Sequence, residues 1–344
     1  MTTTIKDLAR IAKVSTTAVS IALNGRKGVG EATRRRILQI AKEMNYQPNW
    51  TARTLINKRS RTIGYVVNNL RDPFYTDLFM GIEEMAGKSG YQIILINTDG
   101  RLDKEATAIN TLLSRGVDGI IFSTVTVDDH NLDPLFDQKY PFVAINRVPS
   151  KHERVDKIDS VIIDSYTGGY RAIEHLYRLG HDRIGIFAGT MNVSTAEDRT
   201  RGVRHAMKDL GLKFDPRLFF ECDYNFNKAQ EAAQRLLEQR NPPAAIFAYD
   251  DNMALAVREV FLSAGRRIPE DLALVGFDDI RFADLKGIEL TTISQKKYEM
   301  GAMATQILVN KIENDVGYMV SKVVLEAELV IRRSCGFQLT GYVR

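Results

Sequence analysis

Side chains suited to gripping hydroxyl groups recur in this sequence at one kind of place, directly after short runs of β-branched and aromatic residues. Asn68 and Asn69 follow TIGYVV, with Phe74 and Tyr75 just past Asp72-Pro73. Ser123 follows GIIF, Asn146-Arg147 follows FVAI, Asp223-Tyr224 follows FFEC, Asp250-Asp251 follows IFAY and Asp278-Asp279 follows LVGF. Carboxylates and amides bridge vicinal hydroxyls and aromatic rings cover C–H faces, so the set suits a polyhydroxylated ligand. Blander roles compete at three positions. Asp251 can cap a helix starting at Asn252, Asp279 can cap a turn, and Tyr224 can belong to the core.

Catalytic chemistry finds less support. There is no G-x-G-x-x-G after a strand, no phosphate-binding P-loop and no G-x-S-x-G elbow. His130, His152, His175, His181 and His205 show no paired metal spacing, and His181 in LGHDRI reads as structural. The adjacent aspartates at 250–251 and 278–279 point apart, so neither pair supplies the opposed carboxylates of a glycosidase. The expectation is a binding protein with no catalytic residue, metal or cofactor.

The elements that must position these residues alternate. Apolar runs at 62–67, 92–96, 119–122, 142–145, 183–188, 218–222, 244–248 and 272–277 read as strands, with amphipathic helical stretches between them. Strand–helix alternation implies parallel sheets covered on both faces, and ligands bind beyond the carboxyl ends of such strands. Eight or more units exceed one comfortable sheet, so two lobes are expected. Phe79, Ile82 and Met85 form one helical stripe, which serves either a partner subunit or the core.

The first 61 residues differ from the rest. They hold thirteen Lys and Arg against three Asp and Glu, whereas the whole chain nets only +4. A basic head on a mildly acidic body points to a polyanion partner for the head. Ile5, Leu8, Ala9, Ile11 and Ala12 keep helical spacing behind Thr4, a candidate N-cap. After Lys13-Val14, Ser15 offers a second cap to a helix with Ala18, Val19, Ala22 and Leu23, ending at Asn24-Gly25. Two short helices and a tight turn make a helix-turn-helix, in which Thr16, Thr17 and Ser20 would face base edges. A third helix is expected over 31–44. Its Arg34-Arg35-Arg36 run either contacts phosphates or solvates an exposed face.

The string TIKDLARIAKVSTTAVSIALNG, followed by TRRRILQIAKEMNYQPNWTARTL, resembles the N-terminus of the LacI/GalR family of bacterial repressors. The TIxDLA opening, VSxxxVS at the turn, LNG and NYxPNxxAR carry the match, and the likeness extends to about Arg333. It implies a small all-α helix-turn-helix domain at 1–48, a hinge helix and linker at 49–61, and a two-lobed α/β periplasmic-binding-protein-like core at 62–344. In that core the chain crosses between lobes three times, expected near 148–160, 278–290 and 320–325.

The resemblance assigns residues too. Thr4, Ser15, Thr16, Thr17, Ser20, Ile21, Asn24 and Arg34 fall at DNA-contacting positions of the head, and Asn49, Ala52, Arg53 and Leu55 at those of the hinge helix. Leu55 matches a leucine that wedges into the minor groove, a device that bends the duplex and permits further contacts. Ile21 departs from the polar reader common there; it contacts a thymine methyl or merely packs. Ile56 departs from a basic position. In the core, Arg199 matches the arginine that anchors effector, Asp278 an acid that holds sugar hydroxyls, and Tyr224 an aromatic packing on the ligand. Ser123, Asn146, Asp250 and Gln295 match further pocket positions, beside Asn68, Phe74 and Tyr75.

The expected protein is a cytoplasmic homodimeric repressor on a pseudo-palindromic double-stranded DNA operator. A small-molecule effector, a sugar, acts on it as inducer or corepressor. The ending GFQLTGYVR carries no leucine heptad, which favours a dimer. A solute-binding protein would also suit the core, but the basic head and the polar first residues, which lack a signal-peptide run, argue against it. Nowhere does the chain approach the ~18 apolar residues of a membrane span. Its two cysteines, Cys222 and Cys335, suit a reducing compartment.

Overall fold

The computed structural model describes residues 3–23, 25, 27–46, 59–314 and 319–339. The chain divides into two compact units, Met1–Ser60 and Arg61–Arg344.

In the first unit α1 (Ile5–Ala12) starts at a capping box. The Thr4 hydroxyl accepts from Asp7 N at 3.4 Å, while Asp7 Oδ2 accepts from Thr4 N at 3.0 Å. The helix ends on Lys13 in a left-handed conformation. Ser15 Oγ accepts from Ala18 N at 3.1 Å and caps α2 (Thr16–Leu23); α3 (Glu31–Glu43) follows. Their shared core is Leu8, Ala9, Ala12, Val19, Ala22, Ile37 and Ala41. Four of these are alanines, which lets three short helices approach closely around few large side chains.

The second unit holds two parallel sheets. In the first lobe come β1 (Thr62–Val67), α4 (Pro73–Lys88), β2 (Gln92–Asn97), α5 (Leu102–Ser114), β3 (Gly119–Phe122), α6 (Asp133–Asp137), β4 (Phe142–Ile145) and β5 (Asp159–Ile163). The second lobe runs through α7 (Ser165–Arg178), β6 (Ile184–Ala188), α8 (Ser194–Asp209), β7 (Phe219–Glu221), α9 (Phe226–Leu237), β8 (Ala245–Ala248), α10 (Asp251–Ser263) and β9 (Ala273–Val275). The chain then returns through β10 (Thr292–Ser294), α11 (Lys297–Glu313), β11 (Lys322–Leu325) and β12 (Glu328–Val330). The first sheet has the order β11-β5-β4-β3-β1-β2, the second β7-β6-β8-β9, and β10 pairs antiparallel with β12. Helices cover both faces of the parallel sheets, so central strands such as β3, β4 and β8 are buried throughout and read as unbroken apolar runs.

Two expectations change. The first crossing lies after β5, at about residue 164, and the last after β11, at about residue 326, because 159–163 and 322–325 are strands of the first sheet rather than connection. The leading Asp159 disguised β5; that carboxylate is buried and accepts from Lys311 Nζ at 2.5 Å and Ser321 N at 2.7 Å. Second, Ile82 is fully buried in the core and Phe79 stacks on Tyr65 with ring centroids 6.2 Å apart, so much of that stripe on α4 serves its own subunit. Here α4 packs on α11 at backbone distance. A Cβ on Gly81 would lie 2.0 Å from Tyr298 O, and one on Gly301 2.2 Å from Leu78 O. Among the described residues no helix is long and apolar enough to cross a membrane.

Candidate functional site

The strand ends of both lobes converge on one cleft, and the backbone there takes an unusual form. Asn146 (φ 63°), Asp223 (55°), Tyr224 (54°), Asp278 (118°) and Asp279 (53°) all have positive φ without being glycine. Such conformations cost of order 1–3 kcal/mol each and gather where the surroundings over-determine a functional geometry. Tyr224 also needs Gly189: a Cβ there would lie 2.0 Å from the tyrosine ring.

Arg199 stands in the second turn of α8 and is 3% exposed. Its guanidinium lies 3.6 Å from the Phe277 ring centroid, donates through Nη1 to Tyr249 O, and comes within 3.9 Å of Asp278 Oδ1 through Nη2. Gln295 Nε2 donates to the same Asp278 oxygen, and Lys297 Nζ donates to the carbonyls of Asp278 and Asp279 at 2.6 and 2.7 Å. Burial pushes the Asp278 carboxyl well above the usual carboxylate range, against the pull of Arg199.

At the adjoining strand end the two aspartates divide their work. Asp250, not Asp251, caps α10, its Oδ1 accepting from Met253 N at 2.6 Å. Burial, reinforced by Asp72, raises Asp250 to about 8. Asp251 is buried beneath and accepts from Thr292 Oγ1 at 2.6 Å and Ile280 N at 2.9 Å, a structural role. Asp279 pairs with Arg332 at 2.8 Å.

Phe74, Tyr75, Asn146, Arg199, Tyr224, Asp250, Asp278 and Gln295 line one chamber together with Asp72, Arg147 and Thr195. Asn68 lines a second, larger chamber that shares Asp72, Tyr75, Arg147 and Tyr224 with the first. Ser123 lines neither; it is buried behind Asn68, whose Nδ2 lies 3.4 Å from its hydroxyl and donates to Thr124 O at 3.2 Å. Arg147 lies over the Tyr224 ring, 5.1 Å from its centroid. Asp72 caps α4 by accepting from Phe74 N and also accepts from Asn252 Nδ2 at 3.1 Å, a bond from lobe to lobe. Arg147 stands beside Asn146 just after an apolar run and shares its signal, and Asp72 lies in the same turn after β1 as Asn68; Thr195, in the first turn of α8, had none. Several buried polar atoms of the residues lining these chambers lack a protein partner: Asn68 Oδ1, Asn146 Oδ1, Asp250 Oδ2, Gln295 Oε1, Arg147 Nε and Arg199 Nε.

In the head, Thr16 and Thr17 are exposed on the first turn of α2, with Ser20 and Ile21 half-buried behind them. The Thr4 and Ser15 hydroxyls act as caps. Arg36 donates to Ala12 O and ties α3 to the end of α1, while Arg34 is half-buried and Arg35 exposed. Asn24, Asn49, Ala52, Arg53, Leu55 and Ile56, and with them the expected hinge helix, lie outside the described residues.

Histidines that sequence spacing left apart do meet in the first lobe, where His130, Asp133 and His152 converge. Arg154 N donates to His152 Nδ1 at 3.0 Å, which places the histidine proton on Nε2, 3.1 Å from Asp133 Oδ1. The Arg154 guanidinium also pairs with Asp133. This is an ion-pair network, with the nitrogen a metal would need already protonated.

Comparison with known proteins agrees with this geometry in both units. Residues 4–49 match the model of bacterial regulatory proteins of the lacI family, and residues 60–326 that of periplasmic binding proteins and the sugar binding domain of the LacI family. The chain belongs to the LacI family. Among relatives of this LacI-family chain, the HTH-type transcriptional repressor PurR of Photobacterium profundum is 34% identical over 96% of this chain and 98% of its own length. The HTH-type transcriptional regulator DegA of Bacillus subtilis is 34% identical over 97% and 98%. A solved complex of the transcriptional regulator CelR with cellobiose superposes with a TM-score of 0.74 at 28% identity, covering 96% of this chain and 99% of that one. A Lac repressor dimer bound to operator and an anti-inducer gives a TM-score of 0.87 over 97% and 99%; at 24% identity it speaks to the fold. This LacI-family protein is therefore an effector-controlled, DNA-binding transcription regulator.

Proposed function

We propose that this regulator is a cytoplasmic, homodimeric repressor of a pseudo-palindromic operator, and that a neutral sugar in the interlobe cleft controls it. The observation that carries the effector reading is the set of unpartnered buried atoms. Asn146, Asp250 and Gln295 offer acceptor oxygens beside the N–H donors of Arg147 and Arg199. Buried polar groups need partners, and a hydroxyl both donates and accepts, so a polyol satisfies the mixed set. Cellobiose in the related CelR complex supports a sugar. The three carboxyls of the chamber each accept a structural hydrogen bond, Asp72 and Asp250 as helix caps and Asp278 from Gln295, which supports binding without catalysis.

Thr16, Thr17, Ser20 and Ile21 on α2 would meet base edges, with Thr4, Ser15, Asn24 and Arg34 around them. Asn49, Ala52, Arg53 and Leu55 would act at the operator centre, as the family resemblance implies. Effector and operator are linked only if the sugar prefers one arrangement of the lobes, with a coupling of typically ~1–3 kcal/mol. Fluorescence anisotropy of an operator duplex selected from random DNA, repeated with a panel of sugars, tests this. One sugar is expected to change operator affinity about 5–150-fold, and the direction distinguishes inducer from corepressor. Specific DNA binding that no sugar changes would refute the effector assignment.

A further inference from the structure

The two adjoining chambers differ greatly in size. The inner one, walled by Asn146, Arg199, Asp250 and Asp278, has a volume of about 20 Å³. A water needs roughly 10–15 Å³ on this measure, so the chamber holds one or two water-sized groups. The outer one has about 560 Å³, within the range of sites that hold whole small molecules. The Asp72–Asn252 bond between lobes holds the inner walls together. Asp72, Tyr75, Arg147 and Tyr224 line both chambers, which therefore adjoin at these side chains.

The outer walls are polar and close to neutral. Asp99 is paired with Lys104, and Asp223 with Lys228. Asn68 Oδ1 is buried without a partner, and the Asn192 side chain is exposed on the opposite lobe. A single pyranose placed to satisfy the inner atoms would leave most of the outer chamber and Asn68 to solvent. We propose that the effector is a neutral glycoside of at least two sugar units. A terminal hydroxyl or hydroxymethyl group enters the inner chamber, and the rest of the molecule fills the outer one between Asn68 and Asn192. This rests on the sugar reading above and makes Asn68, Arg71 and Asn192 determinants of effector length.

Isothermal titration of the full-length protein tests it, with glucose, galactose, mannose and their methyl glycosides set against maltose, cellobiose, lactose, melibiose and trehalose. The expected result is one disaccharide binding more than tenfold tighter than either constituent and its methyl glycoside. Asn192→Trp, which fills the outer chamber from an exposed position, should weaken that disaccharide more than tenfold, with the ligand-free melting temperature as folding control. A monosaccharide that binds as tightly as every disaccharide containing it overturns the proposal and leaves the sugar cleft standing. Failure of all these sugars to bind overturns both.

Discussion

Glu105 on α5 is fully buried, yet no cation pairs with it among the described residues. Its Oε1 accepts from Val125 N at 3.2 Å and its Oε2 from Asn131 Nδ2 at 3.0 Å. Burial, then the charge and hydrogen bond of Asp129, raise its pKa to about 9 from an ordinary 4.5. The native state therefore holds a proton that the unfolded chain releases above pH 4.5. The stabilisation linked to it is complete below that value and declines as the pH rises towards about 9. Within the window each pH unit removes about 1.4 kcal/mol, so from pH 6 to 8 the loss is of order 3 kcal/mol.

Glu105→Gln keeps the shape and a donor towards Asp129 but cannot titrate. Other groups titrating in this range change both proteins alike, so the difference between variant and wild type isolates Glu105. Thermal melting of the core at pH 6, 7 and 8 should show the variant gaining on wild type by roughly 5–10 °C across the series. It will start somewhat lower at pH 6, because Asn131 loses an acceptor, at about 1 kcal/mol. Parallel melting curves would refute the reasoning, since they would mean that Glu105 is ionised throughout. The readout matters for the cleft, because residues 124–129 reach the second lobe, where Val127 N donates to Asn192 O at 2.8 Å.

Three other perturbations have clear outcomes. Gly189→Ala drives a methyl into the Tyr224 ring and should weaken effector binding by more than tenfold in calorimetry; unchanged affinity would mean that Tyr224 does not touch the ligand. Ser15→Ala removes the cap of α2 and should cost the head about 1 kcal/mol in denaturant unfolding. On the family resemblance, Leu55→Ala should weaken operator binding far more than binding to random duplex, and equal losses would remove the wedge assignment.

What the sequence disclosed follows the range of the interactions involved. Caps are local, so Thr4 and Ser15 could be read from their neighbours. Strand ends are nearly so: the run before Asn146, Asp250 or Asp278 marks the turn that faces the cleft. Which of two adjacent aspartates caps α10 was not legible, because Asp251 is committed to Thr292 and Ile280, dozens of residues away. Glu105 looked like any polar residue of an amphipathic helix; only the segment carrying Asp129 and Asn131 folding over it makes it a buried acid. β5 stayed hidden for the same reason, since Asp159 answers to Lys311 and Ser321.

The glycine contact between α4 and α11 sets an order of events on the ribosome. The four-stranded sheet of the second lobe is one continuous insertion, complete once β9 has emerged, although Ala327 and Ser334 still have to dock on that lobe. The first lobe is not, because α4 must wait for a helix synthesised some two hundred residues later to cover Gly81. The nascent chain thus presents a finished sheet beside an unfinished one that still lacks β11. During that interval the bare face of α4 is open to the non-native contacts that chaperones prevent.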